Sequence, residues 1–184
     1  MLRPSWGMAL AALMTWAGLT SGAHATGPSP HCADNTHRQF DFCLGDWDTF
    51  RVGKTPAISV ARNQVTSILG GCVLHEVYTR TDGYTGESFT IYDSARKVWH
   101  QSWVSNEGEL LVAEGSLQGK QIVLTGSTVD DKGETLHRVS WEAVSDGVRE
   151  TATQSKDGGK TWQADFDIVF RKHQSQARKT SIRS

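Results

Sequence analysis

From Gly45 to Lys172 the chain is broken by glycine-bearing turn signals roughly every 10 to 14 residues, and this spacing limits its fold more than any other feature. Gly70-Gly71, Asp82-Gly83, Asn106-Glu107-Gly108, Gln118-Gly119, Asp131-Lys132-Gly133 and Asp146-Gly147 each put a glycine where a tight hairpin wants positive φ. Between them no apolar stripe of helical period runs for a dozen residues or so. The segments alternate instead, and read as strands over Gly45–Gly53, Ala57–Ile68, Cys72–Arg80, Glu87–Tyr92, Lys97–Ser105, Glu109–Leu117, Lys120–Thr128, Glu134–Val144, Gly147–Ser155 and Thr161–Lys172. Only Ala33–Arg38, ahead of them, suits a short helical turn.

About ten consecutive strands with hairpin-length connections predict an all-β, up-and-down antiparallel meander. A sheet that long leaves two exposed edges or closes on itself. Closure is the expectation, because Thr161–Phe170 alternates strictly between an apolar and a polar face, as a strand with one core side and one wet side does. A flat two-sheet sandwich is the competing arrangement. The lead-in from Arg38 to Phe50 fits a barrel: Gly45 permits a tight turn, and Trp47 is large enough to plug one end. Many small ligand-binding β-barrels open with such an aromatic pair followed by Gly-x-Trp.

Residues 1–25 read as an export signal. Arg3 supplies the positive start, Met8–Leu19 is an apolar core too short to span a bilayer, and Ala23-His24-Ala25 provides the small residues of a cleavage site before Thr26. The mature chain is then expected to be periplasmic or secreted, without membrane insertion. It divides into an N-terminal segment (26–38), one barrel domain (39–172) and a basic tail (173–184) that is short, polar and aperiodic. Setting aside Arg3 and the four C-terminal bases Lys172, Arg178, Lys179 and Arg183 leaves 14 bases against 20 acids. A body of that sign repels phosphate backbones, so nucleic acid is not an expected partner.

In an oxidising compartment Cys32, Cys43 and Cys72 allow at most one internal bridge. Cys32 and Cys43 precede the first strand and Cys72 opens the third, so a meander brings all three to one barrel end. Cys32–Cys72 and Cys43–Cys72 are both geometrically possible.

Several patterns could carry chemistry. Ser155-Lys156-Asp157-Gly158-Gly159-Lys160-Thr161-Trp162 fits the S-x-D-x-G-x-T-W Asp-box, in which Asp157 accepts backbone N–H groups across its own turn and Trp162 packs against the hairpin. Repeated boxes mark sialidase propeller blades, but one box in a chain this short is a structural hairpin. Trp99, Gln101 and Trp103 share one strand face and make a candidate ligand platform of two indoles around an amide. Glu76 with Tyr78, Ser88 with Tyr92, Arg138, Trp141 and Glu150 are the remaining binding candidates, and Arg138 facing Glu76 or Glu150 would form an internal charge pair. His75, His100 and His137 lie on separate strands, with no CxxCH, HxH or HExxH, so no metal or cofactor is expected. No nucleophile elbow and no phosphate-binding glycine loop is present.

The order of these segments resembles a family of exported bacterial proteins of unknown function. Its marks are an FDFWLGDWDV-like opening, a GC-x-L-x-E strand, G-x-S followed by YD, W-x-Q-x-W-V, R-x-x-W, S-x-DGG-x-TW, and a close on F-D then Y-x-R. Here these are Phe40–Phe50, Gly71–Glu76, Gly86-Glu87-Ser88 with Tyr92-Asp93, Trp99–Val104, Arg138–Trp141, Ser155–Trp162, and Phe166-Asp167 with Phe170-Arg171. Two positions depart from it: Cys43 replaces the usual tryptophan, and Phe170 the usual tyrosine. The resemblance implies a lipocalin-like (calycin) barrel, structural roles for Gly45, Trp47, Asp157, Trp162 and Arg171, and a Cys32–Cys72 bridge that leaves Cys43 a buried thiol. The expected function is the binding of a small hydrophobic or amphipathic molecule in the lumen. The alternatives are a cyclase or isomerase using Glu76 or Glu150 to move a proton, and a haem-binding nitrobindin-like barrel served by one of the three strand histidines.

Overall fold

The computed structural model describes residues 30–174. Its strands are β1 (Gly45–Arg51), β2 (Ser59–Ile68), β3 (Val73–Arg80), β4 (Thr85–Asp93), β5 (Val98–Ser105), β6 (Leu110–Gln118), β7 (Gln121–Asp130), β8 (Gly133–Val144), β9 (Gly147–Ser155) and β10 (Gln163–Lys172). Each pairs antiparallel with its neighbour in sequence, and β1 also pairs with β10, from Trp47 opposite Lys172 to Arg51 opposite Ile168. The result is a closed ten-stranded up-and-down barrel, consistent with the lipocalin-like type. Because β1 bonds on both sides, the sheet has no free edge, and the sandwich arrangement does not occur.

The two ends differ. At one end, the turns after β2, β4, β6 and β8 meet the segment that leads into β1, and the lumen is filled. Phe40 enters this end and packs edge-on against Trp99 and Trp141, with ring centroids 5.5 and 5.2 Å apart. Trp47, Leu74, Ile122, Leu124, Val148 and Phe170 complete a buried plug around it. A Cβ on Gly45 (φ +153°) would lie 2.8 Å from the Trp47 indole, so glycine is what lets the chain turn tightly under that ring. Trp47 Nε1 donates to the Cys43 carbonyl at 2.9 Å, and Lys172 Nζ lies 3.7 Å from the ring centroid.

The lead-in segment is tied down covalently and by hydrogen bonds. Cys32 and Cys72 are bridged and Cys43 is a buried free thiol. Arg38 donates to the carbonyls of Cys32 and Gly71 across the bridge. His37 is buried, with its ring between the Asp34 carboxylate (2.8 Å) and Ser94 Oγ (3.1 Å). In place of the helical turn expected at Ala33–Arg38 there are hydrogen-bonded turns, flanked by single 3-10 turns at Pro30–Cys32 and Asp41–Cys43. Asp34 caps the first of them: its side chain accepts from the backbone of Thr36 and His37. The predicted export signal and residues 175–184 of the tail lie outside the described residues. His173, at the start of the tail, is docked on β1 through its N–H to the Asp46 carbonyl and its ring to Asp48.

The strict alternation expected along Thr161–Phe170 breaks at Asp165. Ala164 pairs with Thr153 and Phe166 with Ala152, leaving Asp165 as a bulge. Phe166, Ile168 and Phe170 therefore face inward with Ala152, while Ala164 and Trp162 move to the outside. Trp162 lies there beneath Arg138, whose guanidinium carbon is 3.9 Å from its ring centroid. The Asp-box hairpin forms as expected: Asp157 accepts from the Thr161 amide (2.9 Å) and hydroxyl (2.6 Å), and Trp162 Nε1 donates to the Gly159 carbonyl. These bonds, the Thr161 hydroxyl first, hold the Asp157 carboxyl down at about 2. Arg171 points outward, ion-paired with Asp146 at 3.0 Å.

Candidate functional site

Above the plug the lumen opens into a cavity of about 450 Å³. Its walls come from alternate residues of strands on every side of the barrel: Glu76 and Tyr78 on β3, Gln101 and Trp103 on β5, Leu111 on β6, Val139 and Trp141 on β8, Glu150 on β9, and Phe166 and Ile168 on β10. Charged residues at the free strand ends form the mouth: Arg51, Arg80, Glu107, Glu109 and Asp165. Below lies a recess of about 20 Å³, enough for about one water, where Cys43, Ser88 and Thr90 meet Glu76.

A polar ladder crosses the wall on β2 to β5. Asn63 Nδ2 donates to Glu76 Oε1 at 2.7 Å, and Ser88 Oγ donates to Glu76 Oε2 at 2.8 Å. Gln101 Nε2 then donates to Ser88 Oγ (3.2 Å) and Thr90 Oγ1 (3.1 Å). The strand register makes this possible: Ser88 pairs with both Glu76 and Trp103, so these side chains stand in a row on one face. The ladder fixes the Glu76 carboxyl and spends the Gln101 amide protons on protein oxygens.

Glu150 stands on the far wall. Glu76 is on β3 and Glu150 on β9, four strands away around the barrel by way of β2, β1 and β10. Neither carboxylate has an ion-pair partner within 4 Å among the described residues. Burial raises the Glu76 carboxyl, opposed by the Ser88 and Asn63 hydrogen bonds. Burial raises Glu150 well above the usual carboxylate range, the Glu76 charge adds to that, and the Trp141 indole pulls the other way. The same surroundings push the Tyr78 phenol up to about 12, mainly by burial and then by the Glu150 charge. Cys43 is also raised, by burial first and then by both carboxylates, which makes it an unreactive thiol.

The aromatic walls are positioned by equally local means. Gly86 lies directly under the Trp103 indole, where a Cβ would collide with the ring. Trp103 Nε1 donates to the Tyr84 hydroxyl at 3.2 Å, and that hydroxyl donates to Glu109 at 2.7 Å. Tyr78 meets Trp103 edge-on at 6.1 Å.

Of the residues expected from sequence to bind ligand, the structure brings Glu76, Tyr78, Gln101, Trp103, Trp141 and Glu150 to the cavity, with Ser88 in the recess below. It does not bring Trp99, Tyr92 or Arg138 there. Trp99 is 1% exposed within the plug, its Nε1 donating to Gln39, and Tyr92 packs beside it at 5.6 Å. The lead-in segment fills that end of the lumen, so the two-indole platform separates into one core ring and one cavity ring. Arg138 is exposed on the outer face and stacks on Trp162, so it makes no charge pair with either glutamate. Two of the three histidines considered for haem also face outward: His75 stacks on Phe89 and pairs with Glu87, and His100 pairs with Glu114. His137 bonds the Thr128 hydroxyl and does not line the cavity. Asn63 and Thr90 were not expected. The signal for Asn63 was a polar residue on an otherwise apolar face, between Ala61 and Val65, whereas Thr90 shares its face with Ser88 and carried no such signal.

No protein-family model matches the chain, and neither does any curated protein.

Proposed function

We propose that the barrel is an exported carrier or receptor that holds one small, largely apolar molecule in its lumen. The cavity between Tyr78, Trp103, Trp141, Phe166 and Ile168 carries this reading: its volume suits a single small ligand, and aromatic and aliphatic side chains form its walls beneath a charged mouth. The plug leaves one way in, so the ligand enters at the charged mouth and lies with its apolar body against the indoles. Native mass spectrometry of protein from its own host is the test. A stoichiometric small molecule that is lost when Trp103 is changed to a bulky charged residue supports the reading, and a protein that carries and saturates with nothing refutes it.

A second reading, a lumenal enzyme of cyclase or isomerase type, is favoured by one observation: both carboxyls face the lumen and burial raises both. A glutamic acid whose pKa is raised is better equipped to give a proton, and a second carboxylate to take one. Deuterium incorporation into the bound molecule in heavy water, absent in Glu150→Gln, distinguishes this from carriage alone.

A further inference from the structure

We infer that the lumenal ligand is an organic cation, a molecule with one protonated amine on an aromatic or aliphatic body, whose ammonium group sits between Glu76 and Glu150. The inference rests on the lumenal binding proposed above and specifies the ligand's charge.

Two independent features point the same way. Two carboxylates enter one chamber with no arginine, lysine or histidine paired to either among the described residues. Uncompensated acids are costly in such a place, and a cation arriving with the ligand supplies the missing charge. The chamber walls are those an alkylammonium prefers, since Tyr78, Trp103 and Trp141 line it together with both carboxyls.

The mouth agrees in sign. Glu107, Glu109 and Asp165 stand there against Arg51 and Arg80, and Arg80 is already paired with Asp82. Every other titratable group facing the pair, Tyr78 and Tyr84 on the walls and Cys43 below, is neutral near pH 7 because burial raises it. The cavity field is therefore negative whenever either glutamate ionises, and it attracts cations.

Without ligand the pair favours keeping a proton, because two like charges entering one chamber resist ionising together. Seating an ammonium group between them removes that cost, so the proton leaves to solvent as the ligand enters. Binding is then tighter at higher pH, until the ligand's own amine deprotonates.

Isothermal titration of the full protein with phenylbutylamine, phenylbutanol and phenylbutyrate, in buffers of low and high ionisation enthalpy, tests this. The amine is expected to bind at least about tenfold tighter than the alcohol and the carboxylate weakest, from one charge-assisted contact. Amine binding should release about one proton, and alcohol binding none. Glu150→Gln should abolish the amine's advantage while alcohol binding persists, which also reports an intact lumen. Equal affinity of amine and alcohol, or no proton release, overturns the cation inference and leaves lumenal binding standing. Failure of all three compounds, and of every other amine and neutral molecule of that size, overturns both.

Discussion

Glu150 faces Glu76 across the lumen, and burial together with that like charge keeps the Glu150 carboxyl protonated well above the ordinary range for glutamate. The pair makes the protein's stability depend on pH in a definite sense. A carboxyl whose pKa is raised on folding binds more protons in the native state than in the unfolded one. Its contribution is therefore fully present below the unfolded value and is lost as pH rises through the folded value. Replacing Glu150 with Gln should flatten this decline and stabilise the protein by about 1–3 kcal/mol at pH 8, the cost of an unpaired buried group. Urea unfolding of both proteins at pH 5 and pH 8 checks it: the difference should be small at the lower pH and grow at the higher.

Asp157 should show the opposite behaviour. Its carboxyl is held down at about 2 by Thr161 and Ser155, so the turn's gain is present above the unfolded value and is lost as pH falls through that region. A carbon-detected NMR titration should place Asp157 below every unpaired aspartate. In Thr161→Val the value should move up, because the hydroxyl that donates to the carboxylate is gone.

The plug should be the most sensitive part of the structure. Phe40→Ala removes a ring that touches Phe42, Trp99 and Trp141, at about 3–5 kcal/mol for a large-to-small change in a packed core. Denaturant titration followed by tryptophan fluorescence reads it directly. Trp99 emission in the folded variant should shift to the red as water gains access.

Breaking the Cys32–Cys72 bridge by a double serine substitution frees a loop 40 residues long, a loss of about 4 kcal/mol on the chain-entropy argument. Cys43 should stay silent to thiol reagents in the native protein, with or without the bridge, and react only on unfolding. Mass spectrometry after a timed alkylation pulse distinguishes the three cysteines.

Arg138→Ala should leave ligand binding unchanged, since its guanidinium stacks on Trp162 outside the barrel. The expected cost is about 1 kcal/mol or less, the worth of an exposed cation–π contact. A loss of binding in this variant would return Arg138 to the lumen.

The strands were readable in the sequence because hairpins are local. A glycine that needs positive φ and a run of alternating residues act within a few positions of each other. The predicted strand Gly147–Ser155 has the observed bounds, and Gly45–Gly53 differs from Gly45–Arg51 only at its frayed end. Closure was legible too, since so many consecutive strands with one apolar face have little other way to hide it. The Asp-box was legible for the same reason: its donors and acceptor lie within Ser155–Trp162.

The site was only partly so. Glu76, Tyr78, Ser88, Gln101 and Trp103 were on the right face because each lies on a strand whose parity is unbroken. Arg138 and Trp141 lie on one strand at odd spacing, so no register could put both in the lumen, and only pairing with β9 decided that Trp141 faces in. Trp162 needed more still. The bulge at Asp165 reverses its face, and nothing in Ala164-Asp165-Phe166 distinguishes a bulge from two more alternating residues. Trp99 and Trp103 differ by one turn of the pleat, yet one is core and the other lines the cavity, because the segment ending in Phe40 enters one end of the barrel and not the other. Residues close in sequence therefore determined strand, turn and which neighbours share a face, while the choice of the inward face waited on strand pairing. Depth along the lumen, the meeting of Glu76 with Glu150, and the face of Trp162 depend on contacts between residues far apart in the chain, and only the closed barrel brings those together.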